Sequence, residues 1–283
     1  MNLIEKTIKR EGIEKNLRLL HVTDAHLVLW DERDDKKIIQ GGAHKGKRVS
    51  DWAAARYERF TIDSVPSCEK FATLCDWIRD NAKDFDAVFF TGDILDFYTD
   101  KAVEFLEEQL AKLPIPYIYT PGNHDFIFSC TPVEVVRQRF EKICGGSTYL
   151  QKLKVGDVAI IGLDDTRNFY EEQTLVYLKE ALKGEKHVIL TQHVPLSTKE
   201  LHEEYINGRH GRDLSLGGEG ICLNDSWKTV LDLINAPDSP VFAMICGDKH
   251  NDHLSILEGE GGVPEYISPL CAENPPVVFN IVK

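Results

Sequence analysis

Short apolar runs recur along the chain of 283 residues, and polar residues follow each of them closely. The runs are rich in Val, Ile, Leu, Phe and Tyr, and they are too short for a typical helix. This pattern predicts buried β-strands. Five runs end shortly before an Asp, Asn or His: Leu17–Val22, Ala87–Thr91, 116–120, His187–Thr191 and Val241–Cys246.

Helices are predicted between the runs, where apolar residues recur at helical spacing. Residues 67–82 show this clearly, because Phe71, Leu74 and Ile78 share one face. The other predicted helices cover 100–111, a segment that starts at Thr131, 173–183 and a segment after Asn224. Strands and helices alternate in the first part of the chain, and the end is richer in strands. This order predicts an α/β protein with two sheets.

Weaker strand signals complete the predicted sheets. Residues 1–16 are polar and predict an edge strand or a loose lead-in, and 277–282 predict a C-terminal strand. Residues 148–153 and 157–162 flank Gly156 and Asp157, a pattern typical of a hairpin. Residues 253–257 predict one more strand.

Two long polar segments each follow a predicted strand end. Residues 28–66 are charged and predict a lid-like insertion with one short helix near 52–60, and residues 196–222 are rich in glycine and predict an active-site loop. Nothing in the length or composition forces a division of the chain, so residues 1–283 are expected to form a single domain.

Both polar segments contain arginines that could contact a phosphate. Residues 41–47 have the G-x-x-x-x-G-K spacing of a phosphate loop, but Arg48 stands where that loop needs Ser or Thr, and no full strand precedes it. A flexible basic loop is the better interpretation. We predict substrate contacts from Arg48 and, in the second segment, from Arg209 and Arg212.

Composition restricts the function. The net charge of −13 disfavours a protein that binds long nucleic acids, which need a basic surface. Seven cysteines without a C-x-x-C motif indicate reduced thiols, and neither a secretory signal nor a membrane-spanning run is found. We therefore expect a cytoplasmic protein without a membrane partner, and we leave its oligomeric state open.

The polar residues after the five runs have the chemistry of metal ligands. Side chains two apart on an extended chain point the same way, so that Asp24 and His26 can meet one ion. Carboxylate, imidazole and amide donors together suit Mn, Fe or Zn. There are enough of them for two ions that share a carboxylate: Asp24, His26, Asp93, Asn123, His193, Asp248 and His250.

In this order, the motifs D-x-H, G-D-x-x-D, G-N-H-D, a histidine before Val-Pro, and G-x-x-H resemble the calcineurin-like metallophosphoesterase superfamily. They span residues 24–250. The resemblance implies a four-layer α/β/β/α sandwich of two mixed β-sheets flanked by helices, with a dimetal site at the strand ends. It also implies hydrolysis of a phosphoester by a hydroxide that bridges two divalent ions, of which Mn or Fe is favoured and Zn is possible.

The resemblance further implies a role for each residue of the motifs. Asp24, His26, Asp93 and His250 would bind one ion, Asp93 would bridge, and Asn123, His193 and Asp248 would bind the other. His124 would donate a proton to the leaving oxygen or stabilise charge, Asp125 would orient His124, and Asp96 would support the ligands from outside.

Two departures from the family pattern matter. Asp248 replaces the first histidine of the usual G-H-x-H motif, and Phe97 and Tyr98 follow G-D-I-L-D, which fits neither purple acid phosphatases nor Ser/Thr protein phosphatases. The bacterial phosphatase and cyclic-nucleotide phosphodiesterase type resembles the chain best. In an extended 247–250 segment Asp248 and His250 would share a side, with Lys249 and His253 facing away.

Three functions remain open at this point. The first is a phosphatase that acts on a small phosphorylated substrate. The second is a phosphodiesterase or nuclease. The third is a noncatalytic metal-dependent scaffold, which would have no need for a proton donor such as His124 beside the ions.

Overall fold

Two β-sheets form the centre of the computed structural model, which describes residues 1–39, 45–127, 130–208, 211–219, 223–259 and 261–283. In spatial order, the first sheet contains β1 (Ile4–Lys9), β13 (Val277–Val282), β2 (Leu17–Val22), β5 (Ala87–Thr91) and β6 (Tyr117–Thr120). The second contains β11 (His253–Ile256), β12 (Pro264–Ile267), β10 (Val241–Cys246), β9 (His187–Thr191), β8 (Val158–Leu163) and β7 (Leu150–Val155).

The two sheets pack face to face through an apolar layer that includes Leu19, Phe89, Ile160, Ile189 and Phe279. Helices cover the outer face of each sheet. The first is covered by α2 (Ser67–Asp80), α3 (Asp100–Leu110) and α5 (Val133–Cys144), the second by α6 (Glu172–Leu182), α7 (Lys199–Asn207) and α8 (Ser226–Ile234). The predicted four-layer sandwich is therefore confirmed.

The direction of the strands explains why their polar ends meet. In the first sheet β2, β5 and β6 are parallel, and in the second β8, β9 and β10 are parallel. The carboxyl ends of parallel strands lie at one edge of a sheet, the usual place for a ligand. Both sheets are mixed, since β13 pairs antiparallel with β2 and β7 with β8.

The insertion 28–66 forms its own small unit beside the first sheet. It contains α1 (Val49–Arg59) and a two-stranded ribbon of β3 (Thr61–Ile62) and β4 (Val65–Pro66). Its apolar residues bury against Phe97, Leu270 and Ala272. Helix α1 begins at Val49, earlier than the predicted short helix, because Val49 and Ala53 continue its buried face.

One helix and one strand in the second half of the chain were not predicted. Helix α7 lies within the segment that was expected to be a loop, because the Thr198 side chain caps it and Leu201 and Tyr205 bury one face. Strand β12 is the other, and its buried Glu265 breaks the apolar pattern by which strands are recognised. Within the described ranges no helix is long and apolar enough to cross a membrane, and six described cysteines are free thiols.

Candidate metal centre

The strand ends bring all seven predicted ligands to one place. Asp24 and His26 follow β2, Asp93 follows β5, and Asn123 starts the short helix α4 (Asn123–Phe126) after β6. His193 follows β9, and Asp248 and His250 follow β10. Donor atoms of five of these residues and of His124 form overlapping groups in which the atoms lie within 4.8 Å of one another: Asp24, His26 and His250; His26, Asp93 and His124; Asp24, Asp93 and His193.

The backbone at five of these seven positions is left-handed and not extended. The φ angles are +54° at Asp24, +47° at His26, +51° at Asp93, +65° at Asp248 and +64° at His250. The expectation that Asp24 and His26 meet because the chain is extended was therefore wrong, although the two side chains do meet. Positive φ is costly for residues other than glycine, and its concentration here is typical of a functional site.

Close approach of the loops requires glycine at two positions. A Cβ at Gly122 would collide with the Asp93 side chain, and a Cβ at Gly247 would collide with Thr23 and Asp24. These glycines therefore allow the loops from both sheets to pack directly against the carboxylates.

Asp24, His26 and His250 form the side of the site that we call the first flank. The His250 Nε2 atom lies 3.1 Å from Asp24 Oδ1 and 3.1 Å from His26 Nε2. Asp24 Oδ1 is buried and has no hydrogen bond among the described residues. One carboxylate oxygen and two imidazole nitrogens lie close together here, and too few hydrogen atoms lie between them to pair all three. This arrangement fits a bound cation.

Asn123, His193 and Asp248 form the second flank. His193 Nε2 lies 3.5 Å from Asp248 Oδ1 and 3.1 Å from Asp93 Oδ2. The Asn123 amide lies 3.2 Å from His193 Nε2 and 3.2 and 3.3 Å from the two Asp93 oxygens, and its oxygen faces acceptors unless the amide is turned. A cation would satisfy this arrangement equally well. Asp93 lies between the flanks, since its carboxylate groups with His26 of the first flank and with His193 of the second.

In three of the histidine rings the second nitrogen is held from outside the cluster. His26 Nδ1 lies 3.0 Å from Asp96 Oδ1, which supports the predicted outer role of Asp96. His193 Nδ1 lies 2.7 Å from the Thr91 carbonyl oxygen and His124 Nδ1 lies 2.7 Å from the Asp96 carbonyl oxygen. Because a carbonyl only accepts, these two Nδ1 atoms carry hydrogen. In a neutral His193, Nε2 then has a free lone pair that faces the cluster.

Asp125 was predicted to orient His124, and the backbone hydrogen bonds that it accepts are from the ligand loops. Its carboxylate accepts hydrogen bonds from the backbone N–H groups of Gly122 at 2.8 Å, Leu95 at 2.8 Å and Asp93 at 3.1 Å. It therefore holds the ligand loops together, while His124 Nδ1 donates to the Asp96 carbonyl oxygen. Burial, with the charge of Asp93, raises the pKa of Asp125 to about 7.

Protons and charges are strongly coupled in the cluster. Burial disfavours a charged His193, but Asp93 and Asp248 outweigh burial and raise its pKa well above the usual range. Burial also opposes a charged Asp24, yet His250 and His193 keep the pKa of Asp24 below its ordinary value. Burial lowers the pKa of His26. Metal ligands must be deprotonated, so acid would compete with a cation for the His193 ring.

The predicted substrate contacts are less well placed. Arg48 is exposed at the residue before α1, and Arg212 is exposed in the 196–222 segment. Among the described residues, neither has a hydrogen bond or ion pair with the cluster. Arg209 and most of the 41–47 motif lie outside the described residues.

Lys249 and His253 face away from the cluster, as predicted. Lys249 Nζ lies 3.0 Å from Glu204 Oε1, and His253 Nδ1 lies 2.6 Å from Glu204 Oε2. Glu204 belongs to α7, so that this helix holds the turn that carries Asp248 and His250. The segment 247–250 is not extended, and its alternating left-handed residues produce the same division of side chains.

Two residues of the site were not predicted. Arg56 in α1 donates to the Asp96 carboxylate, with Nε 2.7 Å from Oδ2, and the Phe60 ring stacks on His26 with centroids 4.5 Å apart. The sequence offered one signal for these two residues, which is their spacing of four within the helix predicted near 52–60. It indicates a common helix face but not what that face contacts.

Comparison with known proteins agrees with this arrangement. A family model for calcineurin-like phosphoesterases matches residues 17–251. The 3',5'-cyclic adenosine monophosphate phosphodiesterase CpdA of Escherichia coli K12 is 25% identical over 113 residues, which are 40% of this chain and 31% of the relative. The chain thus aligns with about a third of the length of that curated protein.

Solved structures share the fold. A dimetal phosphatase from Danio rerio superposes with a TM-score of 0.58 and 15% identity, covering 95% of this chain and 94% of the other. Purple acid phosphatase PPD1 from yellow lupin (Lupinus luteus) has a TM-score of 0.52 and 12% identity, covering 89% of this chain and 43% of the other. The family model covers most of the chain, including every predicted ligand. The chain therefore belongs to the calcineurin-like phosphoesterase family.

Proposed function

We propose that the protein is a dimetal phosphoesterase that hydrolyses a small phosphorylated substrate. One observation carries the proposal: the seven potential ligands, Asp93 among them, lie together at the strand ends, and His124 Nε2 lies 4.0 Å from Asp93 Oδ2. Asp24, His26, Asp93 and His250 would hold one ion, and Asp93, Asn123, His193 and Asp248 the other. The carboxylate-rich donor set favours Mn or Fe, with Zn possible.

When bound, two divalent ions supply a nucleophile at neutral pH and offset the negative charge of a phosphoryl group. The protein's own contribution centres on His124. Its Nδ1 donates to the Asp96 carbonyl, so that only Nε2 can face a substrate. A protonated Nε2 would donate its proton to the leaving oxygen as the ester bond breaks. The Asp96 carboxylate lies 3.5 Å from the same Nδ1 atom.

The substrate is expected to be small. The segments 28–66 and 196–222 both start near strand ends that carry ligands, and a rim made by both would exclude large substrates. The net charge of −13 further disfavours long nucleic acids. We expect the protein to act in the cytoplasm, without a membrane partner.

A cyclic-nucleotide phosphodiesterase is the second candidate. The specific observation in its favour is the similarity to CpdA over 40% of the chain, a region that cannot by itself define a substrate. A nuclease is disfavoured by the charge, and a noncatalytic scaffold by the presence of His124.

Metal analysis followed by a substrate panel tests the proposal. The protein is loaded with Mn²⁺, its metal content is measured by plasma spectrometry, and an aryl phosphate monoester, an aryl diester and cyclic AMP are offered. We expect two ions per chain and turnover of at least one ester. Two bound ions without any turnover would favour the scaffold.

The variant His124→Asn makes the test sharper. It should retain both ions and lose activity by about 10²–10⁴-fold, the usual contribution of general acid catalysis. Wild-type turnover in this variant would remove His124 from the mechanism.

A further inference from the structure

The insertion 28–66 reaches the metal centre through one face of α1. Arg56 lies on this face, and Phe60 follows it by four residues, just past the end of the helix. The guanidinium group of Arg56 lies over the Phe60 ring at 4.7 Å and over the Trp52 ring at 5.2 Å. These two aromatic contacts restrict the orientation of the guanidinium group.

The same guanidinium group holds Asp96 with a two-pronged hydrogen bond. Nε donates to Oδ2 at 2.7 Å, and Nη2 donates to Oδ1. Asp96 is completely buried, whereas Arg56 is 22% exposed at its side chain. A buried carboxylate needs a counter-charge, and Arg56 supplies it together with the orientation of both oxygens.

His26 is the point at which these contacts meet. Asp96 Oδ1 fixes its Nδ1 at 3.0 Å, and the Phe60 ring lies parallel to its face, with an interplanar angle of 7°. Asp96 therefore fixes the edge of the imidazole and Phe60 covers one face, and Arg56 contacts both of these residues. The remaining nitrogen, Nε2, faces Asp24 and His250.

We propose that Arg56 is a positioning residue of the metal centre, which acts through Asp96 and Phe60 to fix the His26 ring. The insertion is then a structural part of the first flank in addition to a rim around the substrate. This inference rests on the proposed function, because it concerns the ion that Asp24, His26 and His250 would hold. It predicts that loss of Arg56 weakens one ion and leaves the second flank unchanged.

Metal release tests the inference. Wild type, Arg56→Met and Arg56→Lys are loaded with Mn²⁺, and the loss of each ion to excess chelator is followed by plasma spectrometry. In Arg56→Met we expect one of the two ions to leave about 10–100-fold faster, the usual effect of an altered outer partner of a ligand. Arg56→Lys should restore part of the retention, because lysine keeps the charge without the fork.

Arg33→Met is the matched control. Arg33 belongs to the same insertion and also makes two ion pairs, with Asp31 and Glu104, but these lie at the surface. Its removal should leave the release of both ions unchanged. Retention of the second ion in Arg56→Met verifies that the variant is folded. Wild-type retention of both ions in Arg56→Met would overturn the inference.

A measurement without metal separates this inference from the proposed function. The amides of Asp24 and His26 donate to the Gly92 and Asp93 carbonyls at 3.0 and 2.9 Å. If Arg56 fixes the His26 ring, hydrogen exchange at residues 24–27 should be faster in metal-free Arg56→Met than in metal-free wild type. Wild type that fails to bind two ions contradicts the proposed function, whereas unchanged exchange contradicts the positioning role.

Discussion

Two fully buried carboxyl groups near the metal centre behave in opposite ways. Asp96, beside the first flank, accepts hydrogen bonds from Arg56, and although burial opposes its charge, Arg56 and His26 keep its pKa below the ordinary value. Glu265 in β12, beneath the start of the 196–222 segment, accepts a hydrogen bond from the Leu196 N–H at 2.8 Å. Its other oxygen has no hydrogen bond among the described residues, and burial raises its pKa to about 8.

The comparison of Asp96 with Glu265 shows that burial alone does not decide the charge of a carboxyl group. Asp96 stays ionised because the insertion places a guanidinium group beside it, and Glu265 favours its neutral form because no cation is among the groups that shift its pKa. The first flank is therefore supported by charge. Beside the second flank, the ion pair between Glu204 of α7 and Lys249 does not involve a ligand. Substitutions should consequently affect the two flanks separately, except at Asp93 and in the turn 247–250, which carries one ligand of each flank.

The largest effect is expected at Asp93, where the distinction between the flanks should disappear. If Asp93 bridges both ions, Asp93→Asn should disturb both and reduce activity by more than the roughly 10–100-fold that a change outside the ligands costs. Asn123→Ala, the matched variant of the second flank, should weaken mainly one ion. Metal stoichiometry by plasma spectrometry distinguishes the two cases. Two tightly held ions in Asp93→Asn would argue against a bridge.

A smaller effect is expected when the second flank alone is changed. Asp248 makes the metal centre one charge less positive than a histidine would, so that bound water should hold its proton more tightly. Asp248→His should therefore shift the acidic limb of the pH–rate profile to lower pH and improve activity with Zn²⁺ relative to Mn²⁺. If the limb and the metal preference both stay unchanged, Asp248 is not a ligand.

A further effect concerns stability and not activity, and it tests the neutral carboxyl group of Glu265. Its pKa is about 8 in the folded protein and near 4.5 when unfolded, so that the folded state binds the extra proton between these values. The stabilisation is complete below about pH 4.5 and is lost as the pH rises to about 8, by at most about 1.4 kcal/mol per pH unit. Glu265→Gln should remove this loss.

Urea unfolding of metal-free protein at pH 5 and pH 8 measures the change. The difference in the free energy of unfolding between the two pH values should be smaller in Glu265→Gln than in wild type. Glu258→Gln, an exposed position in the same region, is the control and should behave like wild type. An equal pH difference in Glu265→Gln and wild type would show that Glu265 is ionised in the folded protein.

Most of the framework could be predicted from local sequence patterns. The apolar runs predicted the central strands, and the polar residues after them predicted which side chains converge. The reason given for Asp24 and His26 was wrong, because φ at both residues is positive, which alternation cannot reveal. Helix α7 was missed since its few apolar residues lie in a polar, glycine-rich segment.

The two-sheet architecture and the candidate ligands could be predicted from the amino-acid order, because strand signals and the residues just after a strand are local along the chain. The groups that support those ligands depend on contacts between distant segments. Arg56 reaches Asp96 across 40 residues, and Asp125 binds the Leu95 backbone N–H. These partners depend on which loops the two packed sheets bring together, and the charge of each buried carboxyl group depends in turn on those partners.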